Sequence, residues 1–274
     1  MCMNPFTVVM AVYNGDSPRF INEALTSLFN QARQADEILI VVDGVVSKGI
    51  NKILDEFDCK SDMRVIRLPV NQGAGVSRDT AIAQAKHNII AIMDADDICE
   101  PSRFEKQLPI IEKGDAEVVG ALIEEFIDIP RDNGNIRVVP ERHKDIYAFG
   151  KWRQPVNHVS IIFTRDAYYK VGGYSKIRYV EDYDFLVRLL LGGVTFYNIQ
   201  EVLVHVRLGA TMNRRSGFKY LWAEIQLLLR IYRWKYLNVF QLSGNISIRL
   251  LTRLLPRKIL TLIYKKTLRQ NKIT

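Results

Sequence analysis

Three carboxylates fall within four positions at Asp94-Ala95-Asp96-Asp97, directly after the apolar run Asn88–Met93. At the end of a buried strand such groups repel one another unless a cation neutralises them. Oxygen ligands suit Mg2+ or Mn2+, which typically take one or two carboxylates plus the phosphates of a substrate. Met alone, the motif also fits a solvated strand-end turn or a helix capped by Asp97. A second acidic cluster, Glu181-Asp182-Tyr183-Asp184, opens a helix-period segment. The helix dipole alone favours acids in a first turn. Here Tyr183, Phe185, Leu186 and Leu189 imply a largely buried helix, so its acids stand where burial is costly unless they serve a site.

Four smaller signals sit near these two. Asp43 precedes Gly44, a pair that also serves as a plain turn former. Tyr13 ends an apolar strand and either meets a ligand or caps the core. Gly73 and Gly75 open a helix whose bare amides suit phosphate, although a tight turn accounts for a lone GxG. Arg78, one turn into that helix, reaches either a phosphate or ribose, or the solvent.

The elements that must position these residues follow from hydrophobic period. Strand-length apolar runs alternate with helix-period segments, the pattern of βαβ units around a mostly parallel sheet, so the fold class is α/β. Strands are expected at Phe6–Val12, Glu37–Val42, Met63–Leu68 and Asn88–Met93, with helices at Arg19–Gln31, about Ser47–Phe57, and Val76–His87. Each strand runs into polar residues at its carboxyl end: Tyr13-Asn14, Asp43, Asn71, and Asp94 to Asp97. In open α/β sheets ligands bind outside that rim, so the four clusters converge on one pocket. A helix at Pro101–Lys113 and a strand at Ala116–Ile127 come next. A polar loop with Pro130, Asn133-Gly134 and Pro140 follows, expected to move or to face an acceptor. Regular structure resumes at His158–Thr164, followed by a short helix, Gly172-Gly173, a helix at Glu181–Leu191, one or two strands over 194–206, and helix from Gly217 onward.

Taken in order, Val8–Asn14 (VVMAVYN), Ile38–Gly44 (ILIVVDG), Asn71–Arg78 (NQGAGVSR), Ile92–Asp97 (IMDADD) and Glu181–Asp184 (EDYD) resemble the family 2 glycosyltransferases, which have the GT-A fold. The ordered set, spread over residues 6 to 206, is far more specific than any member of it. Gln154–His158 (QPVNH), Val171–Tyr174 (VGGY) and Arg207–Gly217 (RLGATMNRRSG) look like a bacterial subgroup that builds surface polysaccharides such as O-antigen on lipid carriers. Ser216 stands where that subgroup more often has glycine.

The resemblance implies an inverting hexosyltransferase that uses a UDP-sugar and an acceptor linked to a lipid diphosphate of the undecaprenyl type. Ala11 and Tyr13 would line the nucleoside site, Asp43 would accept a hydrogen bond from the uracil imide, and Asp94 would hold the ribose. Gly73 and Arg78 would complete the donor site. Asp96, with Asp97, would coordinate Mn2+ or Mg2+ bridging the diphosphate. Asp182 would be the catalytic base, with Glu181 and His158 facing the acceptor and Asp184 structural. His205, Arg207, Arg214 and Arg215 are candidates for gripping a diphosphate, and His205 also reads as a structural histidine. An Asp is a weak base for an alcohol, so it must act by position, taking the proton late along the path.

Charge divides the chain unevenly. Residues 207–274 carry 15 Lys/Arg and one acid, Glu224, against 23 basic and 29 acidic residues in 1–206. The expected organisation is a catalytic domain over 1–206, with a nucleotide-sugar half to about 97 and an acceptor half from 98, then a basic, mainly helical region over 207–274. Such a tail must meet an anionic partner or stay solvated. From Ile246 to Arg269 it intersperses Leu/Ile with basic residues, as in helices lying on anionic membrane surfaces, and Trp222, Tyr232, Trp234 and Tyr236 either suit that interface or pack on the body. From three widely spaced cysteines, with no signal peptide or 18-residue apolar span seen in this sequence, the expected location is the cytoplasm, peripheral on the inner face of the membrane.

Two other classes compete with this reading. A nucleic-acid-binding module suits the tail but leaves the strand-end carboxylates unexplained, because acids repel a phosphate backbone, so no nucleic acid is expected as partner. A sugar nucleotidyltransferase shares the βαβ architecture but lacks here the glycine-rich Lys/Arg loop after the first strand that engages a triphosphate.

Overall fold

The computed structural model describes residues 4–58, 62–175, 177–208, 218–254 and 270–271. Strands Phe6–Tyr13 (β1), Glu37–Asp43 (β2), Met63–Leu68 (β3) and Ile89–Asp94 (β4) run parallel in the order β3-β2-β1-β4. They are joined by helices Pro18–Phe29 (α1), Lys48–Asp58 (α2) and Ala74–Gln84 (α3). After the two-residue strand Ile98–Cys99 (β5) and helix Arg103–Glu112 (α4) comes the long strand Val118–Phe126 (β6). The sheet is then completed out of order. Strand Asn135–Arg137 (β7) pairs antiparallel with β6, and Ile162–Thr164 (β8) sits antiparallel between β4 and β6. Strand Phe196–Arg207 (β9) lies parallel to β6 and closes antiparallel on β5.

The strands are apolar on both sides because both faces are covered. Alternation along a strand sends Val8, Met10 and Val12 to one face, against Ile21 and Leu25 of α1 and Phe104 and Leu108 of α4. Val9, Leu39, Val41 and Ile92 go to the other, against Ala81 and Ile82 of α3. Helix Glu181–Leu191 (α7) packs on that second face through Phe185, Leu186 and Leu189. Arg165–Lys170 (α6) precedes it, capped by the Thr164 hydroxyl, which accepts from the Ala167 amide.

Beyond the short β5, two further elements were not expected. β7 lies inside the stretch read as a polar loop, and helix His143–Phe149 (α5) follows it. With three residues and with one buried side chain, Ile146, neither carries a readable period; their order comes from pairing with β6 and from the covering core.

Helix Phe218–Arg233 (α8) buries Ala223, Leu227, Leu228 and Ile231 in the same core as α7, and Val239–Leu254 (α9) packs beside it. The basic charge of this region is therefore partly internal. Arg207 pairs with Glu23, Arg230 with Asp184 at 3.2 Å, and Arg249 with Glu224 at 3.5 Å. That corrects the expectation that the tail either meets an anionic partner or is solvated throughout. The aromatics divide as well: Tyr236 is buried and Trp234 packs on the core, while Trp222 and Tyr232 are exposed. No helix among the described residues is long and apolar enough to cross a membrane.

Candidate active site

Register alone assembles the rim. Tyr13 pairs with Asp43 across β1 and β2, and Ala11 pairs with Asp94 across β1 and β4, so the expected nucleoside-side residues are lateral neighbours. The Tyr13 ring folds over Gly15, where a Cβ would come within 2.4 Å of it. Asp43 is buried, and both of its oxygens are engaged: Oδ1 accepts from the Gln72 amide at 2.7 Å and Oδ2 from the Gly73 amide at 2.8 Å. Gly44 permits this, since its φ of +85° suits glycine and a Cβ there would stand 2.8 Å from the Asn71 nitrogen. The Gly73 amide, expected to face a phosphate, is thus donated to a buried carboxylate that needs it.

The acid turn after β4 separates its three carboxylates. Asp94 and Asp96 are half-buried at the rim, whereas Asp97 is 2% exposed and its Oδ1 accepts from the Arg207 amide at 2.9 Å. Asp97 therefore ties the turn to β9 instead of presenting itself to a metal, a correction to its expected role. Arg207 is corrected with it. Its guanidinium lies 4.0 Å from the ring centre of Phe20 and 4.4 Å from that of Phe126. It donates to Glu23, to the Asp96 carbonyl at 3.1 Å and to the Asp128 carbonyl at 3.2 Å. Three of its five N–H donors are thus held by the protein and the residue is 3% exposed, which turns it inward, away from the diphosphate grip expected of it.

Asp16 is the residue that sequence reasoning missed. It sits in the turn after β1, accepts from the Tyr13 amide at 2.9 Å, and lies within electrostatic reach of Asp94 and Asp96. Burial first, then Asp96 and Asp94, push its carboxyl up to about 8. Burial and Asp94 push Asp96 up to about 6, and burial with Asp96 and Asp94 raises Asp97 well above the usual range. The only available signal was an acid next to Asn14-Gly15 before Pro18, which is also what a turn before a helix looks like.

The acid-rich helix meets this rim through Arg78. Its NH2 is 2.7 Å from Asp94 Oδ1 and its NH1 3.1 Å from Asp182 Oδ1. Burial works against the guanidinium's charge, and the two carboxylates more than offset it, so it stays firmly protonated. His158 Nδ1 also approaches Asp182 Oδ1, at 3.6 Å, while its Nε2 is 2.8 Å from the Tyr174 hydroxyl. Burial lowers the imidazole to about 4, leaving it neutral near pH 7. Glu181 stands beside Asp182, its carboxyl raised by burial and then by that neighbour. Asp184 points into the core, bound to Arg188 at 2.8 Å and Arg230 at 3.2 Å.

His205 is placed differently from the expected diphosphate role. Nε2 bonds to Glu100 at 2.6 Å, and Nδ1 lies 2.9 Å from Glu124 without hydrogen-bond geometry, so carboxylates flank the buried ring on both sides. Arg214 and Arg215 lie outside the described residues.

No three His, Cys, Asp or Glu side chains among the described residues enclose a metal by themselves. The carboxylates that are present nevertheless fit a hard divalent cation. Asp16 and Asp96 are oxygen donors held near a third carboxylate, with their charge disfavoured by burial first and then by that crowding. A cation drawing its remaining ligands from substrate phosphates would relieve them.

Comparison with known proteins agrees with this geometry. Residues 7–176 match the family described as glycosyl transferase family 2. An Escherichia coli protein named UDP-Gal:alpha-D-GlcNAc-diphosphoundecaprenol beta-1,3-galactosyltransferase is 35% identical over 97% of this chain and 97% of its own length. The Erwinia amylovora amylovoran biosynthesis glycosyltransferase AmsE is 32% identical over 95% of this chain and 98% of its own. The crystal structure of Staphylococcus aureus TarS 1-349 in complex with UDP-GlcNAc shares the fold with a TM-score of 0.65, at 17% identity, covering 90% of this chain and 71% of that one. With the family match spanning residues 7–176 and relatives above 30% identity over nearly the whole of both chains, the chain belongs to glycosyl transferase family 2 and is a glycosyltransferase.

Proposed function

We propose that the chain transfers a hexose, with inversion, from a UDP-sugar to a hydroxyl of an acceptor sugar carried on a lipid diphosphate, in the assembly of a surface polysaccharide. The observation that carries this reading is the meeting of Asp94 from β4 and Asp182 from α7 on the two arms of Arg78. A donor held at the Tyr13, Asp43 and Asp94 rim would stand within reach of a base on α7, and that is what single displacement at an anomeric carbon requires. The names of the relatives supply the substrate classes.

Each group then has one task. Tyr13 and Ala11 flank the base, with Asp43 holding the adjoining loop in place for it. Asp94 meets the ribose, and Arg78 lends positive charge where the diphosphate departs. The family generally uses a divalent cation. Asp96 would hold it, with Asp16 next to it, and it would neutralise the leaving diphosphate. Mn2+ and Mg2+ both suit these oxygens. Asp182 takes the proton of the attacking hydroxyl, and Glu181 orients the acceptor. The catalytic unit runs through 206, divided near 97 into donor and acceptor halves, with 207–274 as the basic region.

That region is read as the membrane-facing side. Phe218, Trp222 and Tyr232 of α8 and Phe240 and Leu251 of α9 are exposed among basic residues, a composition suited to an anionic inner-leaflet surface that presents the acceptor.

The test is a thermal-shift screen of UDP- and GDP-sugars with and without Mn2+. Turnover of UDP-galactose and UDP-glucose on N-acetylglucosaminyl diphospho-lipid follows, with the product anomer read by NMR. Metal-dependent stabilisation by UDP-sugars and a β product from an α donor are expected. Indifference to every UDP-sugar, or retention of configuration, refutes the proposal.

A further inference from the structure

His158 and Tyr174 form a buried pair that the proposed reaction has not used. His158 lies in the short helical turn His158–Ser160 ahead of β8, and Tyr174 follows the Gly172-Gly173 turn after α6. Both are almost fully buried, and their rings meet edge-on with centres 5.7 Å apart. Tyr174 is itself fixed from α3: its amide donates to Asp79 Oδ1 at 3.1 Å, and the same oxygen accepts from the Tyr168 hydroxyl. Asp79 is the neighbour of Arg78, so one helix holds Asp182 twice, directly through Arg78 and indirectly through Tyr174 and His158.

The direction of the hydrogen bonds follows from charge. A neutral imidazole has one N–H, and either Nε2 or Nδ1 carries it. Were it on Nε2, the Nδ1 lone pair would face the Asp182 carboxylate, with Asp94 close behind, and repel it. With it on Nδ1, the N–H points at Asp182 Oδ1 while Nε2 accepts from the Tyr174 hydroxyl. Burial raises that hydroxyl well above its ordinary range, so it keeps its proton to donate. Among the described residues Nδ1 has no hydrogen-bond partner, although it is buried beside Asp182. At 3.6 Å the contact is longer than a settled hydrogen bond, as catalytic contacts commonly are before substrate binds.

We propose that His158, with its tautomer set by Tyr174, is a positioning residue for Asp182: its Nδ1–H and Arg78 NH1 both address Oδ1, fixing the rotation of the carboxyl and so the direction in which its other oxygen meets the acceptor hydroxyl. This rests on the reading of Asp182 as the base. His158 then acts through Asp182, not on the acceptor sugar.

The experiment compares His158→Leu, His158→Asn, His158→Gln and Tyr174→Phe in the full chain, measuring kcat, donor KM, UDP affinity by calorimetry and thermal unfolding. The Asn amide nitrogen falls near the place of Nδ1, and that of Gln near Nε2. His158→Leu should lower kcat by roughly 100-fold, with UDP affinity within about twofold of the parent. His158→Asn should recover most of that loss, His158→Gln should not, and Tyr174→Phe should cost about tenfold in kcat. Equal activity of the Asn and Gln variants, or UDP affinity falling in step with kcat, overturns the proposal. If His158→Leu does not fold, the Asn and Gln pair with Tyr174→Phe decides. Asp182→Asn, assayed alongside, separates the two readings. Normal turnover there removes the base itself, whereas an inactive Asp182→Asn beside a fully active His158→Leu removes only the positioning role.

Discussion

Arg78 and Asp182 stand 104 positions apart in the chain and 3.1 Å apart in space, and the same guanidinium holds Asp94 at 2.7 Å. The strand-end rim and α7 are thereby joined through one buried cation. Arg78→Gln removes the charge and shortens the side chain while keeping a polar end. It leaves Asp94 and Asp182 without their shared partner, and kcat/KM should fall by about 100- to 1000-fold, with both donor KM and kcat affected. A fall confined to KM would limit Arg78 to donor binding.

Asp182→Asn removes the proposed proton acceptor but keeps the shape. Turnover should drop by at least about 1000-fold, while UDP affinity measured by calorimetry stays near that of the parent. Turnover within tenfold of the parent would take Asp182 out of the base role.

Asp96→Ala should abolish the part of UDP binding that depends on Mn2+ while leaving metal-free binding in place. Asp97→Asn, by contrast, should affect stability more than metal dependence, since its carboxylate holds the Arg207 amide and faces the core. UDP titrations with and without EDTA distinguish the two variants.

Asp16 predicts a pH dependence with a definite sign. Its carboxyl is held up to about 8 against an ordinary value of 3.8, so between those values the folded chain keeps a proton that the unfolded chain has lost. Folded-state stability attributable to this group therefore declines as pH rises from about 4 to about 8. Without metal, Asp16→Asn should melt above the parent at pH 8 and level with it below pH 4. A gap independent of pH would contradict the assignment.

Asp184 predicts a stability effect remote from chemistry. It is fully buried between Arg188 and Arg230, so Asp184→Ala strands two cations and should cost about 3 kcal/mol by urea unfolding. Arg230→Ala, losing one half-exposed partner, should cost about 1 kcal/mol.

Much of this was legible before folding was considered. The four parallel strands were expected within a residue or two at each end, because strongly apolar runs bounded by turn formers leave little choice, and α7 was expected at Glu181–Leu191, where it is found. Polar residues at the strand ends then pointed to one rim. What could not be read was which way each rim residue turns. Nothing local distinguishes Asp96 from Asp97; a partner 110 positions away, the amide of Arg207, decides that Asp97 faces inward. The same holds for His205, taken by Glu100 and Glu124, and for Asp16, whose relation to Asp94 and Asp96 exists only once β1 and β4 are side by side. Sequence gives residue types and period, whereas long-range partners give orientation.

Arg207 carries a practical lesson for anyone shortening this protein. It is the last residue of β9, at the border where the acidic body gives way to the basic segment, and a cut placed there by charge alone would look harmless. Yet its side chain stacks between Phe20 and Phe126 and props the Asp96-Asp97 bend from beneath. An expressed fragment ending at 206 would be expected to fold around an unsupported bend and to bind nucleotide poorly. One carried on to Leu208 would regain that support but would still lay bare the core face that Ala223, Leu227, Leu228 and Ile231 of α8 cover.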